Sequence, residues 1–374
     1  MDKKRMVDNF LEMVKIYSPS KKEGKYIEYL SEIFQNMGME IYLDKGFEKY
    51  GGDGATIIAK LPGSLEGKGI TLAAHTDVVG PCENINPILD GKIIKTDGTT
   101  TLGADDKAGI AAIIETIKVI KEKNIAHEDI YVVLTPCEEI GMLGAKNIDW
   151  SLIPAHLTPA KNMIVIDNGG RAGLVAHTAP GRYDFTITFT GKKAHAGIEP
   201  EKGINAIQTA SKAIAKMKMG RIDNLTTSNL GTISADFPSN VVADSCIATG
   251  EVRGHSEEII LNILKEYETQ CQNAVEEMGG SYQFEKICAF PPLKPTDELA
   301  FAKEFSKVYE SLGISSELQV IGGGSDSNIF AQRGYNSIII GVGMYDVHTV
   351  DETLDTDELA KTTEALIKYI SKEY

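Results

Sequence analysis

The order of apolar and polar residues divides the chain into three parts. Before residue 180, short apolar runs such as IYVVL and NMIVI alternate with longer stretches such as DKAGIAAIIETIKVIKEKN, whose apolar residues recur every three or four positions. The short runs predict strands that are buried on both faces, and the longer stretches predict helices. Strands that alternate with helices are typical of an α/β sheet covered by helices.

The pattern changes near residue 180. RYDFTITFTGK alternates strictly between apolar and polar residues, and a helix at about 205–218, two strands, a long helix at about 256–279 and the strand SYQFEKICAF follow it. This β-α-β-β-α-β order predicts a ferredoxin-like α+β arrangement. An open sheet face or an edge strand commonly pairs with a second copy, so we expect a homodimer that forms through this part.

The α/β pattern returns after the linker FPPLKP, with a helix at 297–312, the strand NSIIIGVG and a last helix from about 355. The sequence therefore predicts a discontinuous three-layer domain of residues 1–179 and 292–374, with a mixed, mostly parallel sheet. Residues 180–291 would form an inserted lid or dimerisation domain within it.

Charge and composition exclude several classes of partner. The 38 basic and 53 acidic residues give a net charge of −15, which disfavours binding to nucleic acid or to an anionic membrane. No apolar run is long enough to cross a bilayer, and MDKKRMVDNFLEMVKIY lacks the apolar core of a signal peptide, so we expect a cytoplasmic protein. The five cysteines form no CxxC pair, which indicates reduced thiols and neither a disulfide framework nor a thiolate zinc site.

A set of acidic and histidine residues follows the predicted strands or opens the next loop. In an open α/β sheet such positions meet outside the carboxyl ends of the strands. Unpaired buried charge would be costly there, and a divalent cation removes that cost. Imidazole together with carboxylate suits zinc, cobalt or manganese better than calcium. The residues are His75, Asp77, Asp105, Asp106, Glu138, Glu139, Asp167 and His348.

Simpler interpretations exist for the first of these motifs. A single histidine at a strand end, such as His75, is more often structural than a ligand. Alternate residues of an extended segment share a face, however, so Asp77 can hold the ring nitrogen of His75 that faces away from a metal. In GADDKAG, Asp105 and Asp106 could serve only as the cap and first-turn acids of a helix.

The stretch LTPCEEIG raises its own question, because two adjacent carboxylates follow a buried strand. Glu138 and Glu139 could lie in a solvated loop, and Asp167 could be a turn former before Asn-Gly-Gly. Successive side chains on a strand face opposite ways, so a turn must begin here if both glutamates serve one site. Gly141 makes such a turn possible.

Taken in order, HTD at 75–77, GADDK at 103–107, EEIG at 138–141, Asp167 and the late HT at 348–349 resemble a known family. It is the two-metal zinc exopeptidase family that contains peptidase T, glutamate carboxypeptidase, aminoacylase and succinyl-diaminopimelate desuccinylase. TDGTTTLGADDKAGIAAI looks most like peptidase T and its close relatives. The resemblance runs along nearly the whole chain, including the inserted domain.

The resemblance implies a set of metal ligands. Asp105 would bridge two divalent metal ions, most simply zinc, with cobalt or manganese as alternatives. His75 and Asp167 would complete one metal site, and Glu139 and His348 would complete the other.

The resemblance also implies catalytic roles. Asp77 would orient His75, and Glu138 would be the general base that activates a water shared by the metals. His195 in TGKKAHAG would donate to the oxyanion, or else be an ordinary loop histidine. Cys137 replaces an acid that many relatives carry, and no His-Asn pattern supports its use as a nucleophile.

Substrate contacts are implied at two further places. Asn240 in FPSNVVAD and Arg253 in GEVRG resemble lid residues that bind substrate, although Arg253 could instead form a salt bridge on a strand face. The loop IGGGSDSN, with Gly323 and Ser325, would let backbone amides approach the substrate. Ile321 stands where peptidase T proper has an arginine, so tripeptide specificity stays open.

The sequence therefore predicts a two-metal aminopeptidase or tripeptidase that acts on short peptides. The first alternative is an amidohydrolase of the same fold that deacylates N-acyl amino acids. The second is a metal-binding regulatory or scaffolding protein without catalysis, and the presence of Glu138 argues against it, because metal binding alone would need no base.

Overall fold

The computed structural model describes residues Met1–Tyr374, which form two compact units. The first contains Met1–Thr178, Lys294–Val320 and Ser325–Tyr374, and the second contains Ala179–Leu293 and Ile321–Gly324. None of the helices combines the length and the apolar character that a bilayer span requires. The helices are α1 (Lys3–Met13), α2 (Gly24–Asn36), α3 (Ala104–Glu122), α4 (Leu143–Asn147), α5 (Ala206–Ile214), α6 (Glu257–Met278), α7 (Ala300–Ser311), α8 (Ser327–Ala331) and α9 (Thr356–Ser371).

Seventeen strands form three sheets, two in the first unit and one in the second. The strands are β1 (Glu40–Asp44), β2 (Thr56–Leu61), β3 (Ile70–His75), β4 (Ile88–Asp90), β5 (Ile93–Lys95), β6 (Ile130–Thr135), β7 (Asn162–Asn168), β8 (Leu174–Thr178), β9 (Gly181–Thr190), β10 (Gly220–Asp223), β11 (Thr226–Ser234), β12 (Ser245–Gly254), β13 (Ser281–Phe290), β14 (Glu317–Val320), β15 (Asn336–Gly341), β16 (Met344–Tyr345) and β17 (Thr353–Asp355).

The main sheet has eight strands in the order β1-β2-β6-β3-β7-β15-β8-β14. Four neighbouring pairs are parallel (β6/β3, β3/β7, β7/β15 and β8/β14) and three are antiparallel. The predicted mixed α/β fold with a mostly parallel sheet is confirmed. The parallel strands β6, β3 and β7 lie side by side at its centre, so their carboxyl ends meet at one edge.

The apolar runs explain why these central strands are internal. Every residue of β3 and β6 is buried, as continuous apolar sequences predict for strands covered on both faces. Helix α3 packs directly on the sheet. A Cβ atom at Gly109 would lie 2.3 Å from the carbonyl oxygen of Ile166 in β7, so only glycine permits this approach of helix to strand.

A small four-stranded sheet, in the order β16-β17-β5-β4, has no counterpart in the sequence analysis. Its strands contain only two or three residues each, which is too short for a period to be recognised. The sheet matters for the site because the segment that carries His348 connects β16 to β17.

The second unit contains an antiparallel sheet in the order β10-β11-β12-β9-β13. A core in this unit contains Leu264 and Tyr267 of α6 and the buried side chains of β9, which are Tyr183, Phe185, Ile187 and Phe189. Strands β9, β11, β12 and β13 with α5 and α6 follow one another in the β-α-β-β-α-β order, and β10 adds one strand before β11.

Candidate metal centre and active site

Four of the predicted site residues lie at or just after the carboxyl ends of β6, β3 and β7. His75 is the last residue of β3, Asp167 is the next-to-last residue of β7, and Glu138 and Glu139 follow β6 after two residues. Because these three strands are parallel neighbours, their ends bring the side chains to one place.

His75 lies between two carboxylates. Its Nε2 atom is 2.9 Å from Oδ1 of Asp105 and 3.6 Å from Oδ1 of Asp167. Asp105 is the second residue of α3 and has non-helical φ and ψ angles, which separate it from the regular part of the helix. One imidazole and two carboxylates thus form a first group of potential ligands.

His348 forms a second group with the other oxygen of Asp105. Its Nε2 atom is 2.9 Å from Oε1 of Glu139 and 3.2 Å from Oδ2 of Asp105. Each oxygen of the Asp105 carboxylate therefore faces a different histidine. The structure brings together all five residues that the resemblance named as ligands.

Asp77 connects His75 to the turn that carries the two glutamates. Its Oδ1 accepts the backbone N–H of Glu138 at 2.9 Å and lies 3.4 Å from Nδ1 of His75. Its Oδ2 accepts the N–H of Glu139 at 3.2 Å and the hydroxyl of Ser20 at 2.6 Å. The nearest partner of the His75 Nδ1 atom is the carbonyl oxygen of Asp77, at 3.0 Å.

Asp106 has a different role from its neighbour Asp105. Its Oδ1 accepts the N–H of Gly109 at 3.1 Å, and its Oδ2 accepts the N–H of His75 at 3.3 Å. The first bond is that of a helix cap, so the simpler interpretation of GADDKAG holds for Asp106. Burial raises the pKa of this carboxyl well above its usual range.

The turn after β6 begins one residue before the glutamates, at Cys137, whose φ is +55°. This left-handed conformation ends the alternation of the strand, so Glu138 and Glu139 need not face opposite ways. Gly141, with φ of +104°, lies later in the same turn. Burial and the nearby Glu23 raise the pKa of the Cys137 thiol, which makes it a poor nucleophile.

Charge is strongly unbalanced around Asp105. Burial alone would lower the pKa of His75, but hydrogen bonds to neighbouring aspartates raise it well above its usual range. Hydrogen bonds to Asp105 and Glu139 raise the pKa of His348 to about 10. Burial opposes ionisation of Asp105, yet the hydrogen bonds from both histidines hold its pKa below the ordinary value.

The other carboxyls lack such compensation. Burial raises the pKa of Glu138 well above its usual range, partly opposed by the charge of His75. Burial likewise raises the pKa of Glu139 to about 7, although His348 donates to it, and raises that of Asp167. The protein alone therefore supplies too little positive charge for its carboxylates, which is the condition that bound cations relieve.

The donor atoms fit a metal centre. Ligand atoms of His75, Asp105 and Glu139 lie within 4.8 Å of one another, and so do those of His75, Asp106 and Asp167. In the second group Asp106 is the weaker candidate, because its oxygens already accept backbone N–H groups. Imidazole and carboxylate without thiolate match divalent zinc, cobalt or manganese.

Two predicted site residues of the second unit lie side by side. The segment at His195 pairs with Val241 in an isolated β-bridge, and the N–H of Ala196 donates to the carbonyl oxygen of Asn240 at 2.9 Å. His195 and Asn240 are both exposed, and Nδ1 of His195 accepts the N–H of Gly197 at 3.1 Å. The His195 Nε2 atom makes no hydrogen bond within this unit.

Arg253 and Ser325 have partners within their own units. Arg253 binds the carboxylate of Glu251 through Nε at 2.8 Å and Nη2 at 3.2 Å, which is the strand-face salt bridge named as its alternative. Ser325 is buried, and its hydroxyl hydrogen-bonds Asp167. Gly323 is exposed in the loop that precedes it.

Sequence reasoning missed two buried acids beside the candidate ligands. Glu352 is 2% exposed and accepts three backbone N–H groups, those of Leu102 at 2.7 Å, Gly103 at 2.8 Å and Asp105 at 2.9 Å. Asp326 accepts the hydroxyl of Thr135, and burial raises its pKa to about 7. The acid in HTVDE, four residues after His348, was the available signal for Glu352.

Comparison with known proteins identifies the family. The model of peptidase family M20/M25/M40 matches residues 71–372, a range that includes all the residues of the candidate metal centre. The chain belongs to this peptidase family. The resemblance drawn from the motifs is thereby confirmed.

Relatives of this M20/M25/M40 peptidase match it over its whole length. The uncharacterized protein YqjE of Bacillus subtilis (strain 168) is 36% identical over 372 residues, which cover 100% of this chain and 99% of YqjE. The crystal structure of aminopeptidase PepT from Bacillus cereus ATCC 10987 is 34% identical, with a TM-score of 0.91 and coverage of 100% and 99% of the two chains. That of a tripeptidase from Staphylococcus aureus subsp. aureus Mu50 is 32% identical, with a TM-score of 0.93 and coverage of 100% and 98%.

Proposed function

We propose that this M20/M25/M40 peptidase hydrolyses an amide bond of short peptides with the help of two divalent metal ions. One observation carries the proposal. The two oxygens of Asp105 face two separate groups, one with His75 and one with His348. A single carboxylate that faces two imidazole-containing groups can serve two metal ions at once.

Five residues would hold the ions. Asp105 would be shared, His75 and Asp167 would complete one group, and Glu139 and His348 would complete the other. Bound cations of this kind polarise a carbonyl group and make a water molecule more acidic. Zinc is our first choice, with cobalt and manganese as alternatives, because all three accept mixed nitrogen and oxygen ligands.

Glu138 would move the proton. Its carboxylate would take a proton from the attacking water and later deliver it to the nitrogen of the leaving amine. Burial, together with the charges of Asp167 and Asp326, favours the protonated form of Glu138. A carboxylate with a raised pKa accepts a proton more readily than an ordinary glutamate and can afterwards return it to the leaving nitrogen.

Other residues would support this chemistry. Asp77 would fix both the ring of His75 and the backbone of the two glutamates, through the contacts described above. His195, exposed and with a free Nε2 within its unit, would donate a hydrogen bond to the oxyanion. Asn240 and Gly323 would bind substrate. Arg253 could do so only if it exchanged Glu251 for a peptide carboxylate, and Ser325 would act through Asp167.

Short peptides are the proposed substrates because two solved structures that resemble this chain are called an aminopeptidase and a tripeptidase. The chain is 34% and 32% identical to them, and it aligns over its full length. Neither name fixes the peptide length or the side-chain preference for this chain, in which Ile321 precedes the glycine-rich loop.

A homodimer through the second unit is also proposed. Strand β13 is an edge of the five-stranded sheet, and Ile287 on this strand is 67% exposed. Both features favour contact with a second copy. Light scattering after gel filtration tests it: a mass near twice 40.6 kDa is expected, and a mass near 40.6 kDa would contradict it.

A substrate panel tests the proposed function. Metal-free protein is supplied with zinc, cobalt or manganese and offered dipeptides, tripeptides, longer peptides and N-acetyl amino acids. We expect release of the N-terminal residue from short peptides only. Deacylation of the N-acetyl amino acids without peptide hydrolysis would instead identify an amidohydrolase, and the absence of any hydrolysis would support a metal-binding protein without catalysis.

A further inference from the structure

The turn after β6 aims three successive backbone N–H groups at two buried carboxylates. The N–H of Cys137 donates to Oε1 of Glu23 at 2.9 Å. The next two, of Glu138 and Glu139, donate to the two oxygens of Asp77 at 2.9 Å and 3.2 Å. The backbone of all three residues is therefore held from one side by Glu23 and Asp77.

The carbonyl side of the same turn is held by the start of α4. The carbonyl oxygen of Cys137 accepts the N–H of Leu143 at 2.9 Å, and that of Glu138 accepts the N–H of Met142 at 2.7 Å. Close packing follows, since a Cβ atom at Gly144 would lie 2.2 Å from the carbonyl oxygen of Pro136. Both edges of the peptide planes at 137 and 138 are thus fixed.

Cys137 needs such support because its backbone is strained. A φ of +55° is unfavourable for a residue with a Cβ atom and persists only where the surroundings enforce it. Glu23 supplies two contacts here, since its Oε1 also accepts the thiol of Cys137 at 3.1 Å. Glu23 is 0% exposed and is the residue that precedes α2, so its backbone is itself well anchored.

We propose that Glu23 is a positioning residue for the reaction. Its carboxylate fixes the conformation of Cys137 and thereby the orientation of the Glu138 and Glu139 side chains that follow. The inference rests on the proposed function, in which Glu138 moves the proton and Glu139 holds metal. Glu23 itself contacts neither of these side chains. It acts through the Cys137 backbone and thiol, while Asp77 holds the next two residues.

Two substitutions separate the reach of this side chain from its charge. Glu23→Gln keeps the oxygen that accepts both bonds from Cys137 but loses the charge. Glu23→Asp keeps the charge but is one methylene shorter, so its oxygens cannot reach the same position. If Glu23 acts by position, the glutamine variant retains activity and the aspartate variant loses it.

We expect the kcat of Glu23→Asp at saturating metal to fall about 10- to 100-fold, with KM within about 3-fold of the wild-type value. We expect the kcat and the KM of Glu23→Gln to stay within about 3-fold of the wild-type values. Glu139, the proposed metal ligand, belongs to the same turn. The metal affinity of Glu23→Asp, measured by calorimetric titration, should therefore also fall about 10-fold or more.

Glu115→Asp is the matched control. Glu115 is also 0% exposed, and its carboxylate holds the N–H of Asp2 at 2.8 Å and the guanidinium of Arg5 at 2.9 Å, in the contact between α3 and α1. Shortening it should lower the melting temperature but leave kcat and metal affinity unchanged. This control shows what shortening a buried acidic side chain does when that side chain holds no part of the site.

The outcomes are distinct. Wild-type kcat and metal affinity in Glu23→Asp would overturn the inference, and so would an active aspartate variant beside an inactive glutamine variant, because charge would then be what matters. Glu138→Gln is measured in parallel. Full activity of Glu138→Gln would refute the proposed function itself, whereas an inactive Glu138→Gln beside a normal Glu23→Asp would refute only the role of Glu23.

Discussion

Glu352 is joined to Asp105 by a hydrogen bond that spans 247 positions of the chain. Oε1 of Glu352 accepts the backbone N–H of Asp105 at 2.9 Å, and Oε2 accepts the N–H groups of Leu102 and Gly103. Glu352 lies four residues after His348. One buried carboxylate therefore ties the segment of His348 to the segment of Asp105, the two residues that would share a metal ion.

Glu352→Gln should weaken the proposed metal centre. The amide nitrogen of glutamine would face a backbone N–H where the carboxylate now accepts one, and two donors repel. Outer contacts of metal ligands are typically worth about 10- to 100-fold in metal affinity or activity, and a loss of that size is expected in calorimetric titration. Glu358→Gln is the control, because Glu358 lies close to Glu352 in the sequence and its carboxylate also accepts a backbone N–H, that of Ala172. Equal metal affinity in the two variants would contradict the role of Glu352.

The two adjacent glutamates should respond differently to the same substitution. Glu138→Gln is expected to bind both metal ions and to lose about 10²- to 10⁴-fold in kcat, because a positioned proton acceptor contributes about that much. Glu139→Gln is expected to lose metal affinity, since only His348 and Asp105 would then remain as charged or imidazole ligands of that group. Metal analysis and peptide hydrolysis on both variants make the comparison. Loss of metal in Glu138→Gln, or normal hydrolysis by it, would show that the roles are misassigned.

The thiol of Cys137 should be inert although it directly precedes Glu138 and Glu139 of the proposed site. It is 0% exposed, and burial raises its pKa, whereas Cys288 is exposed. Iodoacetamide on the native protein should therefore label Cys288 and leave Cys137 unmodified and hydrolysis unchanged. Peptide mapping by mass spectrometry measures this, with denatured protein as the control in which all five cysteines react. Labelling of Cys137 in proportion to lost activity would contradict it.

Glu23 should make the stability of the metal-free protein depend on pH. Burial raises its pKa from an ordinary value of 4.5 to about 7, so the folded state holds a proton that the unfolded state releases in this range. The stabilising effect of that proton is complete below pH 4.5 and is lost as the pH rises through about 7. Glu23→Gln cannot ionise, so its melting temperature should rise relative to wild type between these two pH values. A difference that stays constant with pH would contradict the raised pKa.

The sequence predicted elements well where the period was long enough to recognise. NMIVIDN corresponds to β7, and SCIATGEVRG corresponds to β12, because each has a continuous or alternating apolar pattern with turn residues at both ends. The small sheet with β16 and β17 was missed because strands of two or three residues carry no period. It forms through pairing with β5, far away in the sequence.

The candidate site shows the same limit. The structure brings together His75, Glu139 and Asp167 because parallel strands end at one edge, a rule that can be applied to a sequence. Glu23 and Glu352 could not be found in this way. Each acts on the backbone of a distant segment, and nothing in its local sequence indicates which N–H groups its carboxylate will accept.

The most direct measurement is a calorimetric metal titration of the metal-free wild type beside Asp105→Asn. Asp105 is the residue that would serve both ions, so its substitution should affect both binding events and not one alone. We expect two ions per chain in the wild type and a loss of affinity for both in Asp105→Asn. A wild type that binds fewer than two ions, or an Asp105→Asn variant that binds two ions as tightly as the wild type, would contradict a shared two-metal centre.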